Sequence, residues 1–337
     1  MKNNKKNHQI KSLLLLIFLT ILLSGCSVFH SSEPVSKTDF ALNTVITITV
    51  YEPSEAPLLD QCMELCRDYE NLFSKSIPSS DIGRINAAAG QPVEVSDETA
   101  ALLEKSIYYS ELSNGLFDVT IAAVDALWDF SSEAAAKNAV TPPSDAAIAA
   151  ALPHVDYHNI RISGNTVTLL DPDASIDLGG IAKGYIADRL KEYLLEQNVH
   201  SAIIDLGGNI LTIGHKPDGS PYHVGIKRPF DQNGDLITSV SIADQSVVTS
   251  GTYERCFTYQ EKLYHHILSP STGYPADNDL NSVSIIAASS VDCDALSTIC
   301  LLSGLDNGMK LIESLPDTEA VFITKDGQLH FTNKLSK

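Results

Sequence analysis

A glycine-rich run between Asp177 and Asp188 constrains the fold of this chain more than any other segment. Ser175 to Leu178 is typical of the end of a short strand, and apolar residues downstream recur at four-residue spacing, as on one buried helix face. Glycines at a strand-to-helix turn let backbone N–H groups approach phosphate oxygens, and Lys183 adds a positive charge. The run matches neither the P-loop nor the dinucleotide-binding pattern. It predicts an anion-binding turn, with a turn that needs glycine only for its backbone conformation as the alternative.

The N-terminus has the pattern of a bacterial lipoprotein signal. Four lysines precede or border an apolar run at 13–23, which is shorter than the roughly 20 residues of a membrane-spanning helix. The following Leu23-Ser-Gly-Cys26 resembles a lipobox, in which the cysteine is lipidated. We therefore predict a signal peptide over 1–25, a lipidated Cys26 with a tether over 26–38, and a catalytic domain over 39–337 at the extracytoplasmic face of the cell membrane. A secretory signal with a chance cysteine is the alternative.

The charge balance argues against a nucleic-acid partner. The whole chain has 23 basic and 42 acidic residues. Removal of the signal leaves 19 basic residues against 42 acidic ones, a net charge of −23. Affinity for nucleic acid comes largely from Lys and Arg contacts to phosphate, so a chain this acidic is a poor candidate. The acidity is typical of a protein that stays soluble while it is tethered at a membrane surface.

Cysteine usage argues against a disulfide framework. Apart from Cys26 the chain has five cysteines, an odd number, and it is long enough to build a core without covalent bridges. Cys62 and Cys66 lie one helical turn apart on an amphipathic pattern, which favours a core position over a zinc pair. The five cysteines are Cys62, Cys66, Cys256, Cys293 and Cys300.

The pattern of helices and strands predicts an α+β fold, with a mostly antiparallel sheet flanked by helices. Strict alternation at 44–50 predicts an antiparallel strand, and amphipathic periodicity at 55–73 predicts a helix. No repeat or Pro/Gly-rich linker divides the mature chain, which favours a single catalytic unit. We expect further helices at 99–114, 296–302 and 308–314, a surface helix or an insertion at 131–151, and further strands at 167–170, 202–206, 223–226, 239–242, 247–249 and 283–287.

Oxygen-bearing side chains at Asp294, Ser297 and Thr298 have the spacing of one helix face. Mg²⁺ prefers oxygen ligands and often joins a protein carboxylate to a substrate phosphate. This segment therefore indicates a magnesium site, with Asp294 as a helix N-cap as the alternative.

His266 stands beside a Ser-Pro turn and is a candidate general base, because an unperturbed histidine has a pKa of about 6.5. Arg255 is a candidate phosphate partner, although surface ion pairs explain most such residues.

Taken in order, these segments resemble the ApbE family, the bacterial FAD:protein FMN transferases. The resemblance covers about residue 39 to the C-terminus and rests on several elements that are each weak but occur in the right order. These elements are the Asp81 to Asn86 turn, Phe117-Asp118 with Trp128, the Asp177 to Tyr185 run, Leu206 to Ile210, Val248 to Arg255, His266 to Gly273 and Asp294 to Thr298.

The resemblance implies an enzyme that binds FAD with Mg²⁺ and transfers FMN to a threonine hydroxyl of an acceptor flavoprotein, with release of AMP. By resemblance, His266 would deprotonate the acceptor threonine, and Asp294, Thr298 and Ser297 would bind the metal together with a backbone oxygen from Gly180 to Ala182. The implied FAD contacts are Leu42, Ser76, Leu116, Phe117, Asp118, Asp177, Lys183 and Leu268, with Arg255 as the candidate phosphate partner.

Two positions depart from the family pattern near the expected flavin. Leu42-Asn43-Thr44 stands where the family has Met-Gly-Thr, and Ser76 falls where some members have a tyrosine that stacks on the flavin. Serine cannot stack, so flavin recognition would depend on Phe73 or Tyr253. Two other functions remain open from the sequence: an FAD pyrophosphatase that uses water as the acceptor, and a non-catalytic lipoprotein that captures FAD.

Overall fold

The computed structural model describes residues 33–130, 140–231, 233–333 and 335. The strands are β1 (Val35–Ala41), β2 (Thr44–Val50), β3 (Val93–Glu94), β4 (Ile160–Ser163), β5 (Thr166–Leu169), β6 (Ala202–Leu206), β7 (Asn209–Ile213), β8 (Tyr222–Lys227), β9 (Leu236–Ile242), β10 (Ser246–Gly251), β11 (Cys256–Tyr259), β12 (Lys262–His265), β13 (Leu280–Ala287), β14 (Glu319–Thr324) and β15 (Leu329–Phe331). The helices are α1 (Leu58–Phe73), α2 (Asp81–Ala87), α3 (Asp97–Leu112), α4 (Ala122–Asp125), α5 (Asp145–Ala151), α6 (Ala182–Glu196), α7 (Ser290–Ser303) and α8 (Leu305–Ser314).

An eight-stranded sheet in the order β1-β2-β6-β7-β10-β13-β14-β15 forms the centre of the fold. Every neighbouring pair in this sheet is antiparallel, which confirms the predicted α+β class. Three small sheets, β11-β12, β3-β5-β4 and β8-β9, surround it. Connections between sequential strands are short hairpins in several places, as antiparallel pairing allows.

Both faces of the large sheet are covered over much of its width. In β14, Ala320 and Phe322 face the main core beneath the helices, while Val321 and Ile323 face a second core beneath the β8–β9 hairpin. Because successive side chains point to opposite faces of a strand, a strand covered on both sides is apolar at nearly every position. This explains why 285–287 and 320–323 are continuous apolar runs, whereas Thr44–Val50 alternates.

The N-terminal hairpin corrects one predicted boundary. β1 begins at Val35, so residues 35–38, which were assigned to the tether, belong to the sheet. The turn to β2 has Leu42 and Asn43 at φ 56° and 55°, the left-handed pair that two-residue hairpins use. The predicted signal peptide and Cys26 lie outside the described residues, as does the 131–139 part of the predicted 131–151 helix. Among the described residues, no helix is both long and apolar enough to cross a membrane.

Helices α6 and α7 pack so closely that one position admits only glycine. A Cβ placed on Gly184 would lie 2.3 Å from the Ser290 carbonyl oxygen and 2.6 Å from the Val291 Cα. The Asp188 carboxylate, one turn further along α6, accepts hydrogen bonds of 2.9 Å from the Ser290 and Val291 N–H groups. These bonds satisfy N–H groups at the start of α7 that have no partner within the helix.

The start of α7 also corrects the reading of Asp294 as an N-cap of its own helix. Ser289 is the N-cap, and its hydroxyl accepts a hydrogen bond from the Asp292 N–H. Helix α7 begins six residues earlier than the apolar pattern at 296–302 indicated, because its first turn is formed by small and acidic residues. Asp294 therefore lies inside the helix and is 4% exposed.

We expect Gly184→Ala to destabilise the protein by about 1–3 kcal/mol, the usual cost of overpacking. The added methyl group meets backbone atoms of Ser290 and Val291, which cannot rotate away as a side chain can. Urea unfolding measures the effect, with Glu196→Ala as a control because that side chain is exposed on the same helix. Equal urea midpoints for the two variants would show that the α6–α7 interface accepts the methyl group without a loss of stability.

Candidate active site

The glycine turn before α6 is held by its own aspartate and by a distant asparagine. Asp177 Oδ1 accepts a 2.8 Å hydrogen bond from the Gly179 N–H. Asn86 forms two hydrogen bonds with the backbone of Ile176, at 2.9 and 2.7 Å. The predicted strand at 175–178 is not a strand: Ser175 forms a single parallel bridge with Ile121, and 176–178 belong to no helix or strand. Side-chain hydrogen bonds therefore replace a sheet as the support of this turn.

The predicted magnesium ligands come together where this turn meets α7. A Cβ on Gly180 would lie 3.5 Å from Thr298 Oγ1 and 3.2 Å from the Phe117 ring. The Ser250 hydroxyl lies 2.8 Å from Ser297 Oγ and 3.3 Å from Thr298 Oγ1. The Gly180 backbone and the hydroxyls of Ser250, Ser297 and Thr298 thus lie together where three separate segments meet.

Asp294 connects this oxygen cluster to the start of α6. Its Oδ2 accepts a 2.9 Å hydrogen bond from the Gly184 N–H, two residues after Ala182 at the first position of the helix. Asp294 is therefore a cap for the neighbouring helix. Ser297 Oγ donates to the Asp294 carbonyl oxygen at 2.9 Å within α7, which fixes the position of the hydroxyl.

The chemistry of this donor set fits Mg²⁺. Asp294 supplies a carboxylate, Ser297 and Thr298 supply hydroxyls, and the 180–182 segment supplies carbonyl oxygens, all of them hard ligands. With only one carboxylate among its ligands, a bound Mg²⁺ would keep a net positive charge, which a substrate phosphate would balance. A separate surface group of His154, Asp171 and Asp173 also has ligand atoms within 4.8 Å of one another, and none of the predicted magnesium ligands belongs to it.

In the segment Leu116 to Asp118, the Phe117 ring lies against the glycine turn and the Asp118 carboxylate holds the segment in place. Phe117 is 5% exposed and reaches the Gly180 backbone. Asp118 Oδ1 accepts hydrogen bonds from the Thr120 N–H and hydroxyl, and Oδ2 accepts from the Tyr157 N–H. Burial raises the pKa of the Asp118 carboxyl, and these hydrogen bonds oppose that rise. The Asp118 carboxylate thus supports the loop that carries Leu116 and Phe117.

His266 is a neutral imidazole at pH 7. Burial, together with the positive charges of Arg255 and Lys183 and the neighbouring His265, lowers its pKa to about 4. The ring Nδ1 lies 3.3 Å from the Arg255 carbonyl oxygen, which leaves Nε2 as the free ring nitrogen when Nδ1 carries the proton. A neutral histidine with an unprotonated nitrogen is able to accept a proton from a hydroxyl.

Lys183 and Arg255 bring positive charge to the site in an otherwise acidic protein. Lys183 stands on the first turn of α6 and its Nζ donates to the Gly179 carbonyl oxygen at 3.3 Å. Arg255 is exposed in the loop before β11; its charge helps to lower the pKa of His266 and opposes the rise that burial causes in the pKa of Asp125. Both cations therefore act on groups around the glycine turn, as a phosphate-binding role requires.

Lys75 and Asp125 lie next to the glycine turn through their contacts with Asp177, and the sequence did not reveal them. Lys75 Nζ donates to Asp125 Oδ2 and, at 2.7 Å, to Asp177 Oδ2. These partners are 50 and 102 residues away along the chain, so no local spacing marks them. Ser250, by contrast, belongs to the small-hydroxyl segment 248–255 that the sequence had singled out, although its contacts with α7 could not be foreseen.

The remaining predicted FAD contacts are spread over three elements. Leu42 lies at the β1–β2 turn, where its N–H donates to Glu70 of α1 at 3.0 Å. Ser76 is exposed beside Lys75. Leu268 is buried in an aromatic cluster with Val124, Trp128, Ile148 and Phe257.

The expectation that Phe73 replaces a stacking tyrosine is wrong. Phe73 is 5% exposed and its ring stacks on Tyr69, with centroids 5.6 Å apart, so it belongs to the core. Tyr253 is partly buried and its ring meets Phe230 edge-on at 5.8 Å.

Cys62 and Cys66 are buried in the same core as Phe73, as predicted, and all five cysteines of the described part of the chain are free.

Comparison with known proteins places this geometry in a family. The sequence profile of the ApbE family matches residues 42–322. The chain belongs to the ApbE family. It is 36% identical over 288 residues to the FAD:protein FMN transferase of Klebsiella pneumoniae strain 342, with 85% of this chain and 87% of that protein covered. It is 33% identical over 311 residues to the FAD:protein FMN transferase of Treponema pallidum strain Nichols, with 86% and 84% covered.

Solved ApbE structures share the fold. The ApbE protein of Thermotoga maritima superposes with a TM-score of 0.82 at 31% identity, over 90% of this chain and 98% of that one. The flavin transferase ApbE of Vibrio cholerae superposes with a TM-score of 0.79 at 25% identity, over 90% and 99% of the two chains. The α+β architecture and the family assignment made from sequence motifs are thereby confirmed.

The lowered pKa of His266 predicts an unusual pH profile for any reaction in which it is the base. The acid limb of kcat/KM should fall near pH 4, instead of near the ordinary 6.5, because kcat/KM reports the ionisation of the free enzyme. Activity should therefore hold from pH 7 down to about pH 5. His266→Gln should lose about 10²–10⁴-fold in kcat and retain substrate affinity. An unchanged limb in that variant would assign the titration to another group.

Asp294→Asn should weaken Mg²⁺ binding while the fold is kept. The amide oxygen still accepts the hydrogen bond from the Gly184 N–H, so the α6–α7 contact survives and only the charge is lost. The Mg²⁺ concentration at half-maximal activity should rise about tenfold or more, as expected for removal of the one carboxylate among the proposed ligands. Titration with Mg²⁺ measures this. A wild-type titration curve for a folded variant would remove Asp294 from the metal site.

Proposed function

We propose that this chain is an FAD:protein FMN transferase that moves the FMN half of FAD onto a threonine hydroxyl of an acceptor flavoprotein and releases AMP. The observation that carries the proposal is the convergence of a neutral His266, the cation Lys183 and an oxygen cluster around Thr298 at one glycine turn. The relatives described above, which are named for this activity, support the same assignment.

The residues of the site divide the reaction between them. The acceptor hydroxyl oxygen attacks the FMN phosphorus, and His266 takes its proton. The bond between that phosphorus and the bridging oxygen breaks, and AMP leaves with the bridging oxygen. Lys183 and Arg255 balance charge on the pyrophosphate, and the Gly179–Gly180 backbone lets it approach closely.

Mg²⁺ held by Asp294, Ser297, Thr298 and a carbonyl oxygen of the 180–182 segment would neutralise negative charge on the pyrophosphate. The chain's own contribution is to hold these oxygens in place before substrate binds. The Asp294–Gly184 and Ser250–Ser297 hydrogen bonds do so, because each joins α7 to another segment of the fold. Preorganised donors of this kind lower the barrier without rearrangement during the reaction.

We further propose that the enzyme works at the extracytoplasmic face of the cell membrane, anchored through a lipidated Cys26. The lysine-rich start, the short apolar run and the lipobox-like Leu23 to Cys26 support this location. Acceptors would then be FMN-bearing redox proteins exposed at the same surface. The acidic mature chain does not favour association with nucleic acid or anionic lipid headgroups.

The activity is tested by incubating the full chain in detergent with FAD, Mg²⁺ and a threonine-bearing FMN acceptor domain, followed by intact mass analysis. The acceptor should gain the mass of FMN less one water, and EDTA should abolish the gain. An acceptor with its threonine replaced by valine is the control and should gain nothing.

Other results would identify the two alternative functions. Free FMN and AMP with no change in an acceptor known to be competent would show an FAD pyrophosphatase. Bound FAD that stays intact would show a carrier. His266→Gln separates the first two cases from the third, because only a catalytic protein slows when its base is lost.

A further inference from the structure

Lys75 lies between two carboxylates that reach it from different elements. Its loop follows α1, whereas Asp125 is the last residue of α4 and Asp177 precedes the glycine turn. The ammonium donates to Asp125 Oδ2 and to Asp177 Oδ2, the latter at 2.7 Å. The three side chains are 34%, 25% and 26% exposed, respectively, so water screens this triad only in part.

The triad is connected directly to the glycine turn. Asp177 uses Oδ2 for Lys75 and Oδ1 for the Gly179 N–H, at 2.8 Å. The carboxylate is thereby fixed in orientation from both sides. Gly179 in turn offers its carbonyl oxygen to Lys183. A chain of charge-assisted bonds therefore runs from Lys75 to the backbone that would meet the pyrophosphate.

The charge balance of the triad depends on Lys75. Two carboxylates share one ammonium, and the pKa of Asp125 is raised by burial while Lys75 opposes the rise. Burial lowers the pKa of Lys75, but the two carboxylates outweigh burial and raise it, so the ammonium is firmly charged. Within the described residues, Arg255 is the other cation that acts on Asp125. Without Lys75, a pair of carboxylates would stand next to the site of an anionic substrate.

We propose that Lys75 is a positioning residue of the FAD site, which holds the Asp177 carboxylate against the glycine turn and neutralises it together with Asp125. This role rests on the proposed function, because FAD is the anion whose binding it assists. The Lys75 ammonium is bound to the Asp125 and Asp177 carboxylates and has no role in the proposed bond changes. Its loss should therefore weaken FAD binding and leave the rate of the bound complex nearly unchanged.

The test compares Lys75→Met, Lys75→Arg and Lys75→Met/Asp125→Asn with the wild type. The dissociation constant of FAD is measured by flavin fluorescence in the absence of acceptor, and kcat is measured at saturating FAD. Lys75→Met should raise the FAD Kd and KM by about tenfold, with kcat within about threefold of the wild type. Lys75→Arg should bind FAD like the wild type, because the guanidinium also pairs with carboxylates.

Charge compensation separates this role from simple loss of packing. Lys75→Met/Asp125→Asn should recover part of the lost affinity, because it removes one of the two unbalanced carboxylates. The matched control is Lys37→Met, which breaks a surface ion pair with Asp60 and should leave FAD binding unchanged. If Lys75→Met does not fold, the FAD affinity of the single variant Asp125→Asn tests the proposal instead. This variant leaves a neutral Lys75–Asp177 pair in place of a triad with a net negative charge, and should therefore bind FAD more tightly than the wild type.

Two results would overturn the proposal. Wild-type FAD affinity in a folded Lys75→Met variant would show that the ammonium does not act on the substrate site. A fall in kcat with unchanged Kd would make Lys75 a participant in the chemical step instead. Failure of the wild type itself to bind FAD would contradict the proposed function, so the two failures are distinguishable.

Discussion

The hydrogen bond between the Gly184 N–H and Asp294 Oδ2 is the contact on which the rest of the site depends. It ties the start of α6, with its glycine turn, to the middle of α7, with its hydroxyls. The bond is possible because Gly184 has no side chain and lets the two helices approach to backbone contact. Asp188 reinforces the same junction by capping α7. A carboxylate that looks like a metal ligand in the sequence is thus also a structural cap for the neighbouring helix.

Three cationic side chains lie around the glycine turn, although the protein as a whole is acidic. The chain carries a formal charge of −19, yet Lys75, Lys183 and Arg255 act on groups around one turn. Burial and the nearby cations hold the pKa of His266 far below its usual range. A neutral base beside fixed positive charge suits attack by a hydroxyl on an anionic phosphorus, because the base can take a proton while the cations stabilise the phosphate.

Several polar residues of the family motifs form hydrogen bonds with the backbone. Asn86 holds Ile176 in place, and Asp118 accepts hydrogen bonds from Thr120 and Tyr157. Such residues keep irregular segments ordered where no sheet supports them, since buried backbone groups need partners. The order of these residues along the sequence identifies the family. A sequence motif alone, however, does not distinguish a residue that supports a loop from one that contacts the substrate.

The sequence by itself determined the fold class, the family and several of the main elements. Alternation marked β2, helical spacing marked α1 and α6, and glycines next to oxygen-bearing side chains predict a phosphate and magnesium site, because these signals are local. Only the tertiary structure decided where Asp294 lies in its helix, that Phe73 is in the core, and that Lys75 joins Asp125 to Asp177. Those facts depend on contacts between segments far apart in the chain, and no local pattern encodes such distances.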